Sequence, residues 1–404
     1  MKQTANELTR RRFFQLSAMA AATMPVMTEA HFALAQSTSS SKTSRRMQMP
    51  EFPPGAVLIN ANENPLGPCE SARAAITSIT PTGGRYDLDG MTPELAKTFA
   101  AQNGLKEENV AVYAGSSEPL HYTVRAFTGP DKALVTANPT YEAPWYAAGF
   151  SGAPVKKVEL EPKTYAHDMK ALVAADPNAG VIYVCNPNNP TGTITPREDM
   201  LWALENKPKG AILLVDEAYI HLSGAPNVLD QVAAGKDLIV LRTFSKIYGM
   251  AGIRCGFAIG RPDLLAKLQP FLQNPMPVTS SAAAHSSLLD ASLVPTRKKW
   301  IADSREKTLA FLDKNGYKYV PGSQSNCFMI DVGVPGKQVI DAMAAKNVFI
   351  GRVWPVWPDH VRVTVGSPQD MDAFMVAFKQ VMDAKGKTAA SVAVPKSIDG
   401  LEMA

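Results

Sequence analysis

Three short, nearly all-apolar runs constrain the fold of this chain more than any other feature. They are Gly180–Cys185, Ala211–Val215 and Asp237–Leu241, and each is followed at once by polar residues. Runs of this length and composition are typical of strands buried on both faces of a parallel sheet. Because ligands bind at the carboxyl edge of such a sheet, the residues that follow each run are candidate site residues.

Strands and helices alternate around these runs. Val110–Tyr113 and Ala133–Thr136 are predicted strands, and helical patterns cover residues 92–104, 119–127 and 141–150. This alternation predicts a large α/β domain with a mainly parallel sheet. A smaller domain follows, with short strands from Asn326 onwards and helices over 336–346 and 370–384.

Composition excludes several classes of protein. The 404 residues are 46% hydrophobic and 19% charged, which suffices for one large core and a smaller one. A net charge of +4 is small for this length, so no basic field for nucleic acid is expected. Four cysteines lie far apart without C-x-x-C spacing, and we expect buried thiols rather than a metal site or a disulfide framework. They are Cys69, Cys185, Cys255 and Cys327.

The third run leads directly into Thr243-Phe244-Ser245-Lys246 and so places a lysine at the predicted sheet edge. A lysine there can be desolvated, which favours the neutral amine that attacks carbonyl groups. Ser245 and Arg254 suit a phosphate, and the glycines between them allow close approach of the backbone to a ligand. Taken alone, a Ser-Lys pair in such a loop is more typical of a surface lysine.

A second phosphate-binding wall is predicted where Gly115-Ser116-Ser117-Glu118 enters a helix. The glycine and the two serines offer N–H groups, hydroxyls and the positive end of the helix dipole to an anion. Ordinary helix capping is the alternative interpretation.

Asp216-Glu217-Ala218-Tyr219 follows the second run. A carboxylate at that edge requires a cationic partner in a closed site, because an unpaired buried charge is strongly destabilising. The first run ends in the specific motif N-P-N-N-P-T-G, residues 186–192. A purely structural turn is the alternative reading of that motif.

Together these motifs resemble those of fold-type I pyridoxal 5′-phosphate (PLP) aminotransferases, in the subfamily that includes histidinol-phosphate aminotransferase. The resemblance covers roughly residues 59–384, with the motifs in family order. It implies a mainly parallel seven-stranded sheet in the large domain and a smaller α+β C-terminal domain. It also implies that Lys246 carries PLP and moves a proton, and that Asp216 holds the pyridine nitrogen.

The resemblance assigns further cofactor contacts. Asn189 and Tyr219 match residues that reach the phenolic oxygen of PLP. Tyr141 matches the residue on which the ring stacks, with a core aromatic residue as the alternative. The remaining implied contacts, on the phosphate side, are Ser116, Ser117, Thr243, Ser245 and Arg254.

Two segments match family features that imply a homodimer. Residues 59–68 are predicted to form a polar arm and no core element; in the family this arm closes over the site, and Asn64 is its candidate substrate contact. Tyr86 matches a tyrosine that reaches the cofactor phosphate of the neighbouring subunit. Local packing at a turn is the alternative for Tyr86.

Substrate recognition is assigned to two arginines. Arg362 matches an arginine that clamps the substrate's anionic group in a bidentate manner, and Arg352 is expected to assist it. A plain surface charge is the alternative. Trp354 and Trp357 are predicted to line the pocket mouth and to favour an apolar or aromatic substrate side chain.

The long helix that precedes this region carries many charged residues. We expect the following to lie on its solvated face: Arg297, Lys298, Lys299, Arg305, Glu306 and Lys307.

The implied reaction is amino-group transfer between an amino acid and a 2-oxo acid. The amino acid is expected to be apolar or aromatic, or to resemble histidinol phosphate. PLP-dependent lyases, decarboxylases and racemases on the same fold are alternatives. A non-catalytic binding protein is disfavoured because the lysine, aspartate and arginine set is complete.

The N-terminus predicts export. Thr9–Gln15 contains consecutive arginines, a mildly apolar stretch follows over 16–27, and Ala33-Leu34-Ala35 suits cleavage after Ala35. The apolar stretch is short and interrupted, which disfavours a membrane anchor. We therefore expect a periplasmic or secreted protein that meets the twin-arginine translocation machinery during export. The predicted organisation is a signal peptide (1–35), a flexible linker (36–48), an N-terminal arm (49–75), the large domain (76–285), the small domain (286–387) and a mobile tail (388–404).

Overall fold

The computed structural model describes residues 52–87, 90–271 and 274–391. The predicted signal peptide and linker lie outside these residues, and so does the predicted tail from residue 392 onwards. The strands are β1 (Val57–Ile59), β2 (Val110–Tyr113), β3 (Ala133–Asn138), β4 (Val155–Glu159), β5 (Ala179–Cys185), β6 (Ile212–Asp216), β7 (Leu238–Thr243), β8 (Gly256–Gly260), β9 (Lys318–Tyr319), β10 (Cys327–Asp331), β11 (Val348–Ile350) and β12 (His360–Thr364). The α-helices are α1 (Glu70–Ile79), α2 (Met91–Gln102), α3 (Ser117–Phe127), α4 (Ala143–Ser151), α5 (Met169–Ala174), α6 (Arg197–Asn206), α7 (Leu229–Ala233), α8 (Pro262–Ala266), α9 (Val278–Leu289), α10 (Leu293–Lys314), α11 (Gly336–Ala344) and α12 (Pro368–Ser391).

A seven-stranded sheet organises the large domain, in the order β2-β8-β7-β6-β5-β3-β4. Strand β8 runs antiparallel to β2 and β7, and the other neighbouring pairs are parallel. The predicted α/β class and mainly parallel sheet are confirmed.

The three apolar runs form the centre of this sheet as β5, β6 and β7. Every residue of these strands is buried, which is why their sequences are apolar on both faces. In the register, Cys185 lies beside Asp216, and Asp216 lies beside Leu241. The strands therefore end together, and the polar residues that follow them meet at one edge.

The smaller domain contains the antiparallel sheet β12-β10-β9. The N-terminal strand β1 pairs in parallel with β11, and Ile59 at its end is fully buried. The expectation that residues 59–68 hold no core element is therefore wrong for Ile59. The apolar triplet Val57–Ile59 gains a strand partner and buried surface, and the polar arm begins only after it.

Two arginines of α10 do not lie on a solvated face as expected. Arg297 and Arg305 are buried, and their Nη1 atoms donate to the carbonyls of Ile247 (3.1 Å) and Ser325 (3.0 Å). Backbone carbonyl acceptors satisfy the guanidinium groups there, so the long side chains can be buried.

The cysteines at positions 69, 185, 255 and 327 are buried, as predicted. Across the three described ranges, no helix combines the length and the apolar composition that crossing a membrane requires.

A buried ion pair holds the ends of β6 and β7 side by side. Glu217 accepts from Arg242 Nε at 2.6 Å and from the backbone N–H of Val228 at 3.1 Å. The side chains of Glu217 and Arg242 are 1% and 5% exposed. Nη1 of Arg242 also lies 3.0 Å from Nε2 of His221. Removing one partner would leave the other charge buried without compensation.

We predict that Glu217→Gln lowers the free energy of unfolding by about 3–5 kcal/mol, the usual cost of breaking a buried pair. Urea denaturation would measure it. Asp303→Asn is the control, because Asp303 pairs with Lys299 on the surface, where a pair contributes about 1 kcal/mol or less. Equal midpoint shifts in the two variants would contradict a stabilising role for the buried pair.

Candidate active site

A cavity of about 300 Å³ lies at the edge where β5, β6 and β7 end. Ten of the predicted site residues line it: Ser116, Ser117, Tyr141, Asn189, Asp216, Tyr219, Thr243, Ser245, Lys246 and Arg254. The sequence analysis therefore selected most of the residues that line this cavity. The other lining residues are Ala61, Glu63, Cys185, Ala218, Ala251 and Gly252.

Four predicted residues are not among those that line the cavity. Asn64 is buried beneath the lysine loop, where its Nδ2 donates to the carbonyl of Ile247 at 3.0 Å. Tyr86 lies on the surface with 78% of its side chain exposed. Arg352 and Arg362 are buried on the small-domain side of the site.

Lys246 is buried and lies three residues after the end of β7. Its Nζ lies 5.4 Å from the centre of the Tyr219 ring. The carbonyl of the next residue, Ile247, accepts from both Asn64 and Arg297. The arm and helix α10 thus both hold the loop that positions the lysine.

Asp216 is a buried carboxylate at the end of β6, and its Oδ2 accepts from the Tyr183 hydroxyl at 3.1 Å. Its Oδ1 accepts from the N–H of Ala218 at 3.1 Å. Burial raises the pKa of Asp216 to about 6, against the two hydrogen bonds and the charge of Lys246, which lower it. A cation bound against this carboxylate would keep it ionised.

Tyr183 was missed in the sequence analysis, where it counted only as part of a buried strand. The pairing of the two strands would have indicated this contact. Cys185 is the register partner of Asp216, and Tyr183 lies two residues before Cys185 on the same face of β5. An aromatic side chain reaches such a diagonal neighbour.

The hydroxyl of Tyr219 is held by Asn62, whose Nδ2 donates to it at 3.1 Å. Asn62 is itself fixed by Thr364, which accepts from its N–H and donates to its Oδ1, both at 2.9 Å. Asn62 lies in the N-E-N-P segment, yet the sequence analysis selected Asn64 instead. The structure assigns Asn62 to the tyrosine and Asn64 to the lysine loop.

Hydroxyl, guanidinium and N–H donors form a cup at the N-terminus of α3. Arg254 Nη1 donates to Ser245 Oγ at 3.3 Å and to the Ala251 carbonyl at 2.7 Å. Thr243 Oγ1 donates to Ser245 Oγ at 2.9 Å. Gly115 has a φ of +94°, and a Cβ there would overlap the Arg254 guanidinium. Glycine thus lets the cation lie beside the helix N-terminus, which favours a bound phosphate.

These features fit PLP. The cup suits its phosphate, the buried Asp216 suits a ring nitrogen that carries a proton, and Lys246 offers an amine to its carbonyl carbon. Tyr141 lines the same cavity and offers an aromatic face.

Beside the cavity, two guanidinium groups lie near one tryptophan. Arg362 donates to Asn189 Oδ1 at 3.0 Å and to the Asn60 carbonyl at 2.7 Å. The guanidinium carbons of Arg352 and Arg362 lie 4.1 Å and 5.6 Å from the centre of the Trp354 ring. A hydrogen bond therefore connects Arg362 directly to Asn189, which lines the cavity.

The prediction that Trp354 lines the pocket mouth is wrong. Trp354 is fully buried, and its Nε1 donates to the carbonyl of Thr140 at 2.9 Å. Trp357 is partly buried against Tyr165 and His360 and is absent from the residues that line the cavity. A buried ring that satisfies its N–H and supports two guanidiniums contributes packing rather than a surface for substrate.

Comparison with known proteins agrees with this geometry. The family model for aminotransferase class I and II matches residues 55–378. The histidinol-phosphate aminotransferase of Symbiobacterium thermophilum is 33% identical over 335 residues, which cover 81% of this chain and 90% of that protein. The corresponding protein of Moorella thermoacetica is 30% identical over 337 residues, which cover 81% and 85%.

Solved structures show the same fold. The histidinol-phosphate aminotransferase from Sinorhizobium meliloti, in complex with pyridoxal-5′-phosphate, matches with a TM-score of 0.77 and 23% identity, covering 95% of this chain and 100% of that chain. The chain therefore belongs to the class I and II aminotransferase family and is a PLP-dependent aminotransferase.

Proposed function

We propose that the enzyme transfers the amino group of an amino acid with an uncharged, apolar or aromatic side chain to a 2-oxo acid, with Lys246 as the catalytic residue. The meeting of a buried lysine, a buried aspartate and a phosphate cup in one cavity supports the amino transfer and the role of Lys246. The uncharged side chain is inferred from Arg352, whose charge is already paired with the buried carboxylate of Glu142. Histidinol phosphate, the compound after which the relatives are named, is the alternative amino donor.

When bound, PLP supplies an electron-accepting ring that stabilises negative charge at the substrate Cα. The chain's own residues then have separate tasks. Lys246 Nζ removes the proton from Cα and returns it on the cofactor side, as a general base and then a general acid. Its near-complete burial limits competition from water.

Asp216 holds the proton on the ring nitrogen. Its carboxylate is oriented by Tyr183 and by the Ala218 N–H, so it does not need to reorganise when the cofactor binds. Tyr219, positioned by Asn62, and Asn189, positioned by Arg362, are assigned to the phenolic oxygen. Tyr141, which lines the same cavity, would offer its aromatic face to the ring.

The phosphate contacts are assigned to the cup described above: Ser116, Ser117, Thr243, Ser245 and Arg254. Arg362 binds the substrate carboxylate, because it lies beside Asn189 at the cavity wall and a guanidinium matches a carboxylate in a bidentate manner. Asn64 acts on the substrate indirectly, through the lysine loop that it holds.

Lys246→Ala is expected to lower the rate of amino transfer by at least about 10³-fold, because it removes the group that moves the proton. The rate would be measured with a panel of amino acids and pyruvate. The phosphate contacts should still retain part of the PLP, which the absorbance of dialysed protein would show. Lys299→Ala, a change at an exposed lysine, is the control, and normal turnover of Lys246→Ala would exclude the assignment.

A homodimer is the proposed assembly, because Tyr86 is exposed in the single chain and matches a residue that completes the partner's phosphate site. Light scattering should give about twice the mass of one chain. Tyr86→Phe should raise the dissociation constant of PLP by about tenfold or more, because a hydrogen bond to a charged phosphate is lost. Tyr319→Phe, which removes an exposed hydroxyl that binds Asp313, should leave PLP binding unchanged. A fully active monomer would refute the assembly.

Twin-arginine export to the periplasm or the exterior is also proposed. It is supported by the arginine motif, the weak apolar segment and the Ala33-Leu34-Ala35 site. The family match begins at residue 55, so cleavage after Ala35 would leave the matched region intact. That route carries folded proteins, which suits an enzyme that binds its cofactor in the cytoplasm.

Changing Arg10 and Arg11 to Lys should retain a folded, active precursor in the cytoplasm. Cell fractionation with an activity assay would measure it. The matched control makes the same change at Arg45 and Arg46 of the linker and should be exported normally. An unaltered protein found uncleaved and wholly cytoplasmic would disprove the proposed location without affecting the catalytic assignment.

A further inference from the structure

A second buried ion pair lies beside the cavity, and the sequence analysis did not identify it. Arg352 Nη1 contacts Glu142 Oε2, and the side chains are 3% and 7% exposed. Glu142 directly follows Tyr141, which lines the cavity. Arg352 was selected from the sequence as a substrate-binding cation, but its guanidinium has an internal carboxylate partner.

The surroundings place this pair on the substrate side of the cavity. The N–H of Arg362 donates to the Arg352 carbonyl at 3.2 Å, so the two arginines are neighbours on paired backbone. Trp354 lies within 5.6 Å of both guanidinium carbons, and its Nε1 donates to the carbonyl of Thr140, two residues before Glu142. Glu142 thus lies near both the cavity-lining Tyr141 and the arginine cluster.

Tyr146, one turn further along α4, extends this region to the surface and is 45% exposed. Its pKa is raised mainly by burial and further by the negative charge of Glu142, while Arg352 opposes the shift. Glu142, Arg352 and Tyr146 therefore form one cluster next to Tyr141, which lines the cavity. We call the position between this cluster and the cavity the side-chain subsite.

The charge balance of this subsite decides which side chains it accepts. Glu142 and Arg352 together are neutral, so an uncharged substrate side chain leaves their pairing intact. A substrate side chain with a carboxylate or phosphate would have to draw Arg352 away from Glu142. The buried carboxylate of Glu142 would then face the incoming anion. Such like-charge juxtaposition is strongly unfavourable at a desolvated contact.

We propose that Glu142 is a specificity-determining residue that neutralises Arg352 and makes the side-chain subsite reject anionic side chains. The inference rests on the proposed amino-transfer function. It separates this chain's substrate from acidic amino acids such as glutamate, because their side chains are anionic. Rejection of the wrong substrate by an unfavourable charge is a general route to specificity.

The test is the half-reaction of the PLP-loaded enzyme with single amino donors, followed by the absorbance of the bound cofactor. No 2-oxo acid is added as acceptor, because it would compete with the amino donor for the same subsite. The donors are L-phenylalanine and L-leucine, whose side chains are uncharged, against L-glutamate. The wild type should prefer the neutral donors by about tenfold or more in second-order rate constant.

Glu142→Gln should reduce this preference by about tenfold or more, because it leaves the positive charge of Arg352 uncompensated. The double change Glu142→Gln with Arg352→Gln should restore the preference by removing that charge. Glu205→Gln, at an exposed glutamate that pairs with Lys236, is the matched control and should not alter the preference. An unchanged preference in Glu142→Gln, or a reduced one that persists in the double variant, would overturn the proposal.

A binding experiment on the wild type keeps the proposal testable if a variant does not fold. Calorimetry should show that glutaramate, the monoamide of glutarate, binds to the loaded enzyme about tenfold or more tightly than glutarate, because glutarate has a second charge in place of the amide. Equal binding would overturn the proposal. If no amino donor reacts, the proposed amino transfer fails, whereas preference for glutamate would refute the role of Glu142 alone.

Discussion

The burial of Asp216 is the constraint on which the rest of the site depends. A carboxylate at the end of a fully buried strand is strongly disfavoured unless neighbouring groups stabilise its charge. The Tyr183 hydroxyl and the Ala218 N–H supply part of that stabilisation, and Lys246 adds a positive charge across the cavity. The pKa of about 6 shows that these groups do not fully compensate for burial. The site is therefore arranged for a further cation, which the protonated ring of PLP provides.

The lysine loop shows how distant parts of the chain act on one residue. The carbonyl of Ile247 accepts from Asn64 in the N-terminal arm and from Arg297 in α10. Asn62 in the same arm links Tyr219 to Thr364 of the small domain. Because β1 also pairs with β11, the arm is anchored to the small domain and reaches the active site of the large one. The arm therefore connects β11 and β12 to Tyr219 and to the loop that positions Lys246.

Buried charge has two different uses in this protein. Glu217 and Arg242 are buried at the ends of β6 and β7 and do not line the cavity, and their pairing holds two strand ends in place. Glu142 and Arg352 lie beside the cavity, where a neutral pair changes which ligands are compatible. Pairs of the same chemistry thus contribute to stability at one position and, by our proposal, to specificity at another. Location relative to the ligand decides between the two, since only a charge near the substrate experiences the substrate's own charge.

The sequence by itself determined the α/β class, the three central strands and most of the cavity wall. Those features depend on local pattern: an apolar run specifies a buried strand, and the polar residues that follow it must lie at the strand's end. Tertiary structure alone decided that Ile59 joins the core, that Arg297 and Arg305 are buried, and that Trp354 supports the arginines instead of contacting substrate. It also decided that Tyr183 serves Asp216 and that Glu142, 210 positions away in the chain, neutralises Arg352. These outcomes depend on which side chains come into contact when distant segments of the chain pack together. Composition and periodicity are local properties of the sequence and do not specify such contacts.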